Sequence, residues 1–204
     1  MNHSQIAYVI TEYCVKPFGK HAVIDYDIAE LARDIERFSL LYRVEAALAL
    51  AQGIAESHFA CAPAATRSRA TKNIFNVGNV DDGSNKYFDS YKAGVERYFD
   101  LMNREYRWPE DYAAMLTMQT LAAHDFHRPQ GGRYASAPSY TCVVFSIYKK
   151  ILADPALPPR GYSKNNPGGT ISLKPEGSNA LSLYLFQGRP RASAPNPKLI
   201  THNS

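Results

Sequence analysis

Apolar residues recur at three- and four-residue spacing along much of the chain, the interval that gathers them on one side of an α-helix. Ile28, Leu31, Ile35 and Phe38 do so between Asp25 and Leu41. Asp27, with Glu30 three residues on, supplies a capping box to start that helix. A second helix is predicted from about Leu41 to Ser57, with Val44, Ala47, Leu48, Ala51 and Ala55 as its inward stripe. Ser90 caps a third, striped by Tyr91, Val95, Tyr98 and Met102. Trp108-Pro109 opens a fourth, running to about Ala123 with Tyr112, Met115, Leu116 and Gln119 on one side. Pro138 starts the last, where Val143, Val144, Ile147, Tyr148, Ile151 and Leu152 repeat at three and four. Residues 5–16 are apolar and read as a short helix or strand, and residues 60–72 as a loop.

The period changes after residue 73. Ile74, Phe75, Val77 and Val80 lead into Asp81-Asp82-Gly83-Ser84, and Tyr87 and Phe88 follow. Asp-Gly between short apolar stretches signals a hairpin, so a small β-lobe is expected over 74–89. From Asp154 onward, prolines at 155, 158, 159, 167, 175, 190, 195 and 197 exclude a long helix. Only 179–187 reads as a strand there. The expected class is therefore α+β and mainly helical, with a β-hairpin lobe and an irregular C-terminal arm. Three segments follow: a helical extension at 1–40, a main domain at 41–153, and a Pro-rich arm or tail at 154–204.

Composition narrows the partners. A 45% hydrophobic content can fill a sizeable core. The net charge of +4 suits an anionic polymer, but no dense Lys/Arg run marks a nucleic-acid binder. Cys14, Cys61 and Cys142 are odd in number and form no C-x-x-C pair, which excludes a full disulfide framework and favours buried thiols. No signal peptide is read at the N-terminus, and no stretch approaches the roughly 20 apolar residues of a membrane span.

The chemistry centres on Glu56. It lies twelve residues after Val44, about 120° around the helix at 100° per residue, and so at the edge of the buried stripe. A carboxyl group there is half desolvated yet reachable. Phe59 and Phe75 would strip water from it and hold its proton near neutral pH, as a general acid for sugar cleavage requires. Asp81 and Asp82 could activate water across a cleft, Asp82 being retained as a second catalytic candidate. Asp-Asp-Gly is equally ordinary turn chemistry. Asn76 and Asn79 offer amides to acetamido groups, and Tyr140 reads as a core residue that could also reach substrate. His124 and His127 share a helix face with Asp125 beside them, but no third ligand follows, so neither metal nor cofactor is expected.

Four segments carry a family resemblance. Ala51-Gln52-Gly53-Ile54-Ala55-Glu56-Ser57 is similar to a helix ending in a catalytic Glu-Ser. Asn73-Ile74-Phe75-Asn76-Val77 is similar to Asn-Leu-Phe-Gly-Ile, and Tyr87–Val95 to an aromatic-x-Ser-aromatic helix opening. Tyr134-Ala135-Ser136-Ala137-Pro138-Ser139-Tyr140 is similar to Tyr-Ala-Thr-Asp-Pro-x-Tyr. Over roughly 41–152 the chain resembles the lysozyme-like peptidoglycan hydrolases, nearest to the glucosaminidases of flagellar and autolysin type, with lytic transglycosylases as near relatives. Two departures stand out: Asn76 where the family often has Gly, and Ser136-Ala137 in place of Thr-Asp.

The resemblance implies a lysozyme-like fold that cuts β-1,4 links between GlcNAc and MurNAc. Glu56 would be the acid and Tyr134 a cleft-wall tyrosine assisting it. Ser57, Phe75, Asn76, Asn79 and Tyr140 would contact substrate. Action at the bacterial wall without a signal peptide suggests a phage endolysin or virion-associated protein, with the C-terminal arm meeting an assembly partner. The alternative is a non-catalytic wall-binding or virion structural module that keeps the same shape.

Overall fold

The structure, a computed structural model, describes residues 1–78, 85–109 and 114–157. Seven α-helices occur among them: α1 (His3–Ile10), α2 (Ile28–Tyr42), α3 (Ala46–Ser57), α4 (Thr66–Thr71), α5 (Tyr91–Glu105), α6 (Met118–Ala123) and α7 (Tyr140–Leu152). Local chemistry sets most of their starts. Asn2 and Gln5 form a reciprocal capping box on α1. The Asp27 side chain accepts from the Ala29 and Glu30 amides at 2.7 and 3.2 Å to start α2. Ser90 accepts from Ala93 N at 3.1 Å to start α5, and Thr117 caps α6.

Several expected boundaries move. The predicted second helix does not run on from Leu41, because Arg43 turns left-handed at φ +56 and closes α2. Residues 43–45 instead grip Leu116: its amide donates to the Arg43 carbonyl and its carbonyl accepts from Glu45 N, both at 2.8 Å. The 60–72 loop contains α4. Of the fourth predicted helix, residues 110–113 with Tyr112 lie outside the described residues, and the described helical part is α6. The predicted strand at 179–187 also lies outside them.

No strand ladder occurs among the described residues of the expected β-lobe. Its turn, Asp81 to Ser84, lies outside them, as do Asn79 and Val80. The apolar run at 74–77 is buried but is not a strand, because the Asn73 side chain makes the bonds a partner strand would make. Asn73 Oδ1 accepts from Val77 N at 2.9 Å, and its Nδ2 donates to Val77 O at 3.0 Å and Lys86 O at 3.3 Å. The β-bridges among the described residues are isolated pairs, Val44 with Leu116 and His127 with Arg133.

Helix α3 runs through the centre. Residues 46–54 are all buried, and their small side chains let α7 lie against the helix, with α1 and α2 also touching it. Helix α1 packs on α2 and α2 on α5, so Ile6, Val9 and Ile10 share one apolar core with Leu48, Phe38 and Phe99. The Asp154 carboxylate, just past α7, accepts from the Tyr13 hydroxyl at 3.0 Å and ties α1's extension to α7's end. Cys14 and Cys61 are buried free thiols, and Cys142 is exposed.

Helix α5 sits tightly on the segment after α4. Phe88 N donates to Thr71 O at 2.9 Å, and Lys72 bonds Asp25 at 2.9 Å and lies over the Tyr91 ring. Gly94 makes this approach possible, since a Cβ there would collide with the Lys72 backbone carbonyl. Gly→Ala inside a helix ordinarily stabilises by about 1 kcal/mol. Here the collision with backbone should reverse the sign, and Gly94→Ala is expected to destabilise by about 1–3 kcal/mol in chemical denaturation. An unchanged or raised midpoint would show that the Gly94 contact does not limit the packing.

Candidate active site

Glu56 is the penultimate residue of α3, followed by an unusual turn. His58, Phe59 and Ala60 are three successive non-glycine residues at positive φ, +49, +51 and +61. Such conformations are costly for residues with a Cβ and persist only where surrounding contacts over-determine them. The contacts are present here. Ser57 Oγ accepts from Ala60 N at 3.1 Å, and the Tyr26 hydroxyl donates to Phe59 O at 2.7 Å. Arg69 donates to the carbonyls of Ala60, Ala62 and Pro63 at 2.7–2.8 Å. The turn folds the Phe59 ring back over Gly53, where a Cβ would come within 2.5 Å of the ring, and edge-on to Phe75 at 5.8 Å. Those two fully buried rings form an apolar floor beneath the helix end.

Two donors from separate elements converge on the half-buried Glu56 carboxyl. Asn76 Nδ2 donates to Oε2 at 2.8 Å. The Asn76 amide is oriented by Arg67, whose guanidinium donates to Asn76 Oδ1 at 3.1 Å. The Tyr140 hydroxyl, from the first turn of α7, lies beside the carboxyl and favours its charged form. Burial pushes the Glu56 pKa up, while the Tyr140 and Asn76 bonds and the nearby Arg67 charge pull against it; burial prevails and the net shift is upward.

A buried relay stands behind Tyr140. The Tyr98 hydroxyl donates to Gln52 Oε1 at 2.7 Å, and Gln52 Nε2 donates to the Tyr140 oxygen at 3.1 Å. Gln52 and Tyr98 are fully buried. Tyr98 is itself stacked on Phe75, centroids 3.9 Å apart at 14°. Tyr134 stacks on Tyr140 at 5.6 Å, and its hydroxyl donates to Phe75 O at 3.2 Å.

Glu56, Asn76, Tyr134 and Tyr140 are thus brought together, around Phe75. Phe75 is only 1% exposed and presents its carbonyl rather than its ring to Tyr134. Ser57 Oγ donates to Ile74 O at 2.8 Å and accepts from Ala60, so both its roles are spent on backbone. Asn79, Asp81 and Asp82 lie outside the described residues. Sequence reasoning passed over Gln52, Arg67 and Tyr98. One signal for Gln52 was available: it is a lone amide in an apolar run, four residues before Glu56 and so on the same helix face.

The His124–His127 segment lies behind the tyrosine pair, with Phe126 edge-on to Tyr140 at 5.8 Å. His124 stacks on Trp108 at 3.9 Å, and Asp125 bonds Arg133 and Thr141. Among the described residues no group of three or more His, Cys, Asp or Glu is placed to hold a metal ion, and no helix is long and apolar enough to cross a membrane.

No curated protein and no solved structure matches the chain. A family model does match, over residues 32–152, more than half of the 204. That stretch holds α3 with Glu56, the Asn73–Val77 clamp, α5 with Tyr98, and α7 with Tyr140. The matched model is the glucosaminidase family, described as mannosyl-glycoprotein endo-β-N-acetylglucosaminidase, and the chain belongs to that family, which at family level makes it a glycosidase of the peptidoglycan-cleaving kind.

Proposed function

We propose that this protein cleaves β-1,4 links between GlcNAc and MurNAc in peptidoglycan, with Glu56 as general acid. The observation that carries the reading is the Glu56 carboxyl itself. It is desolvated enough to keep its proton to higher pH than an ordinary glutamate, yet two groups beside it favour the ion once the proton has left. In the reaction Glu56 passes its proton to the glycosidic oxygen and the anomeric C–O bond breaks. Tyr140 and Asn76 then stabilise the carboxylate left in a poorly solvated site. That carboxylate next takes a proton from the nucleophile. Water gives hydrolysis, and the sugar's own 6-hydroxyl gives an anhydro product. Where Asp82 rather than Glu56 takes the proton from water, the route is inverting and needs carboxyl groups about 6.5–9.5 Å apart. Tyr134 steadies Tyr140 by stacking, and Ser57 positions Glu56 by tying the helix end to Ile74. Asn79 is a proposed contact for acetamido groups.

Mass spectrometry of sugar fragments released from purified peptidoglycan tests this directly. Reducing GlcNAc ends would identify a glucosaminidase, reducing MurNAc ends a muramidase, and anhydro-MurNAc ends a lytic transglycosylase without need of Asp82. Glu56→Gln is expected to lower the release rate by about 10²–10⁴-fold. Wild-type rates in that variant, or no fragments from the wild-type protein on several wall types, would refute the assignment.

The raised pKa has a stability consequence with a definite sign. Folded Glu56 holds its proton to higher pH than unfolded Glu56 does. Its contribution to stability is therefore full in acid and is lost as pH rises through the folded value. Gln cannot ionise, so Glu56→Gln should gain melting temperature relative to wild type as pH goes from acid to neutral. A melting difference that stays flat across that range would contradict the burial argument.

Asn76 stands at φ +51, a conformation Gly adopts freely. Asn76→Gly should keep the backbone and remove one donor to the carboxylate. The Glu56 pKa then rises further, and the alkaline limb of the kcat/KM profile moves to higher pH. An unmoved limb would mean that the Asn76 bond does not act on the reacting carboxyl.

A further inference from the structure

Gln52 stands one helical turn before Glu56, in an apolar helix where a buried amide is costly unless its groups are satisfied. Both ends are satisfied, and in a way that has a direction. A carbonyl oxygen only accepts, so Tyr98 must donate to Gln52 Oε1 at 2.7 Å. An amide nitrogen only donates, so the Tyr140 oxygen must accept from Gln52 Nε2 at 3.1 Å. A phenol has one hydrogen. With its oxygen receiving Gln52, the Tyr140 hydrogen is left for another acceptor, and the Glu56 carboxyl lies beside it. Turning the amide over would point the Tyr140 hydrogen at Gln52 and its lone pairs at the Glu56 carboxylate. Burial first, and then the Glu56 charge, raise the Tyr140 pKa, and the bond from Gln52 lowers it.

We infer that Gln52 is a positioning residue which, held by Tyr98, makes the Tyr140 hydroxyl an obligate donor to Glu56. The inference rests on Glu56 being the acid. Its consequence is catalytic rather than merely structural. A Tyr140 hydroxyl free to rotate would spend part of its time with lone pairs facing the carboxylate, when the proton has just left and stabilisation is needed. The fixed polarity removes that state before the reaction begins, as preorganised donors do. The charged and titratable groups facing Glu56 are Arg67 from α4, Tyr98 from α5, Tyr140 from α7 and Tyr134 from the segment before α7. Of these, Tyr98 and Tyr140 are joined through Gln52.

The test is a pH–rate profile of peptidoglycan cleavage for wild type, Gln52→Met, Tyr98→Phe and Glu56→Gln. Gln52→Met keeps the length and loses both hydrogen bonds. Loss of a donor to the charged form makes Glu56 a weaker acid, so the alkaline limb should move up by about one pH unit and kcat should fall roughly tenfold. KM should change little, because Gln52 does not reach the substrate. Tyr98→Phe keeps the ring stacked on Phe75 and frees Gln52 Oε1; a smaller shift of the same sign is expected. It also serves as the test if Gln52→Met does not fold. A drop in melting temperature with the alkaline limb unmoved in the folded variant would overturn the inference, since a structural role moves only stability. The two levels separate cleanly. An active Glu56→Gln would remove the general-acid reading itself. An inactive Glu56→Gln beside an unmoved limb in Gln52→Met or, should that not fold, in Tyr98→Phe would remove this inference alone.

Discussion

One constraint organises the molecule: a carboxyl group is kept at the end of a helix that is otherwise apolar and close-packed. Burial alone would make Glu56 an inert neutral group, and full hydration would make it an ordinary surface carboxylate. The structure holds it between those limits by setting desolvation from the packing of α3 against hydrogen bonds brought in by other elements. Helix α7 brings Tyr140, the Asn73–Val77 clamp brings Asn76, and α4 brings Arg67. Each of those elements must be anchored for its donor to arrive, so much of the fold answers to this one carboxyl.

The turn after Glu56 shows what anchoring requires. Three non-glycine residues in the left-handed region cost of order 1–3 kcal/mol each. Arg69 meets that cost with three carbonyl bonds, helped by Tyr26 and Ser57. The return is the placement of Phe59 over Gly53 and against Phe75, which keeps water from the inner side of the helix end. A relaxed turn would send the chain away from α3 and leave that side wet, and the carboxyl would lose its raised pKa. Strain in the backbone and burial of the acid are thus two sides of one arrangement.

Elements whose signals are local were legible in the sequence. Asp27 and Ser90 cap α2 and α5, though Glu30 does not complete the capping box expected of its spacing, and the α7 stripe contains the buried Val144, Tyr148 and Ile151. Glu56 was legible because helix geometry alone places it at the edge of the buried face. What failed depends on distant partners. The break at Arg43 follows from pairing with Leu116, some seventy residues away in sequence. Ile74, Phe75 and Val77 look like a strand, but Asn73 replaces the partner strand with its own amide, a substitution no periodicity reveals. Gln52 takes its meaning only from Tyr98 and Tyr140 on either side of it. Tyr140 could be read from the sequence only as core or substrate contact; its hydroxyl in fact lies against the carboxyl.

The departure at residue 76 gains a physical meaning from this geometry. Family relatives often carry Gly there, and the backbone at φ +51 explains why, since Gly enters the left-handed region without penalty. Asn is among the few side-chain-bearing residues that also tolerate it. It therefore keeps the path of the clamp and adds an amide that a glycine lacks. Arg67 fixes which end of that amide meets Glu56, and Tyr98 holds the oxygen end of Gln52. Two amides oriented by groups behind them therefore control the carboxyl from two directions. In each case the neutral amide turns a neighbour's fixed polarity into a donor placed on or beside the acid, without bringing a second charge into contact with it. That choice suits the role proposed for Glu56, which is to hold a proton in one step and release it in the next. A cation in direct contact would favour the ion throughout and pull the pKa back toward the ordinary carboxylate range.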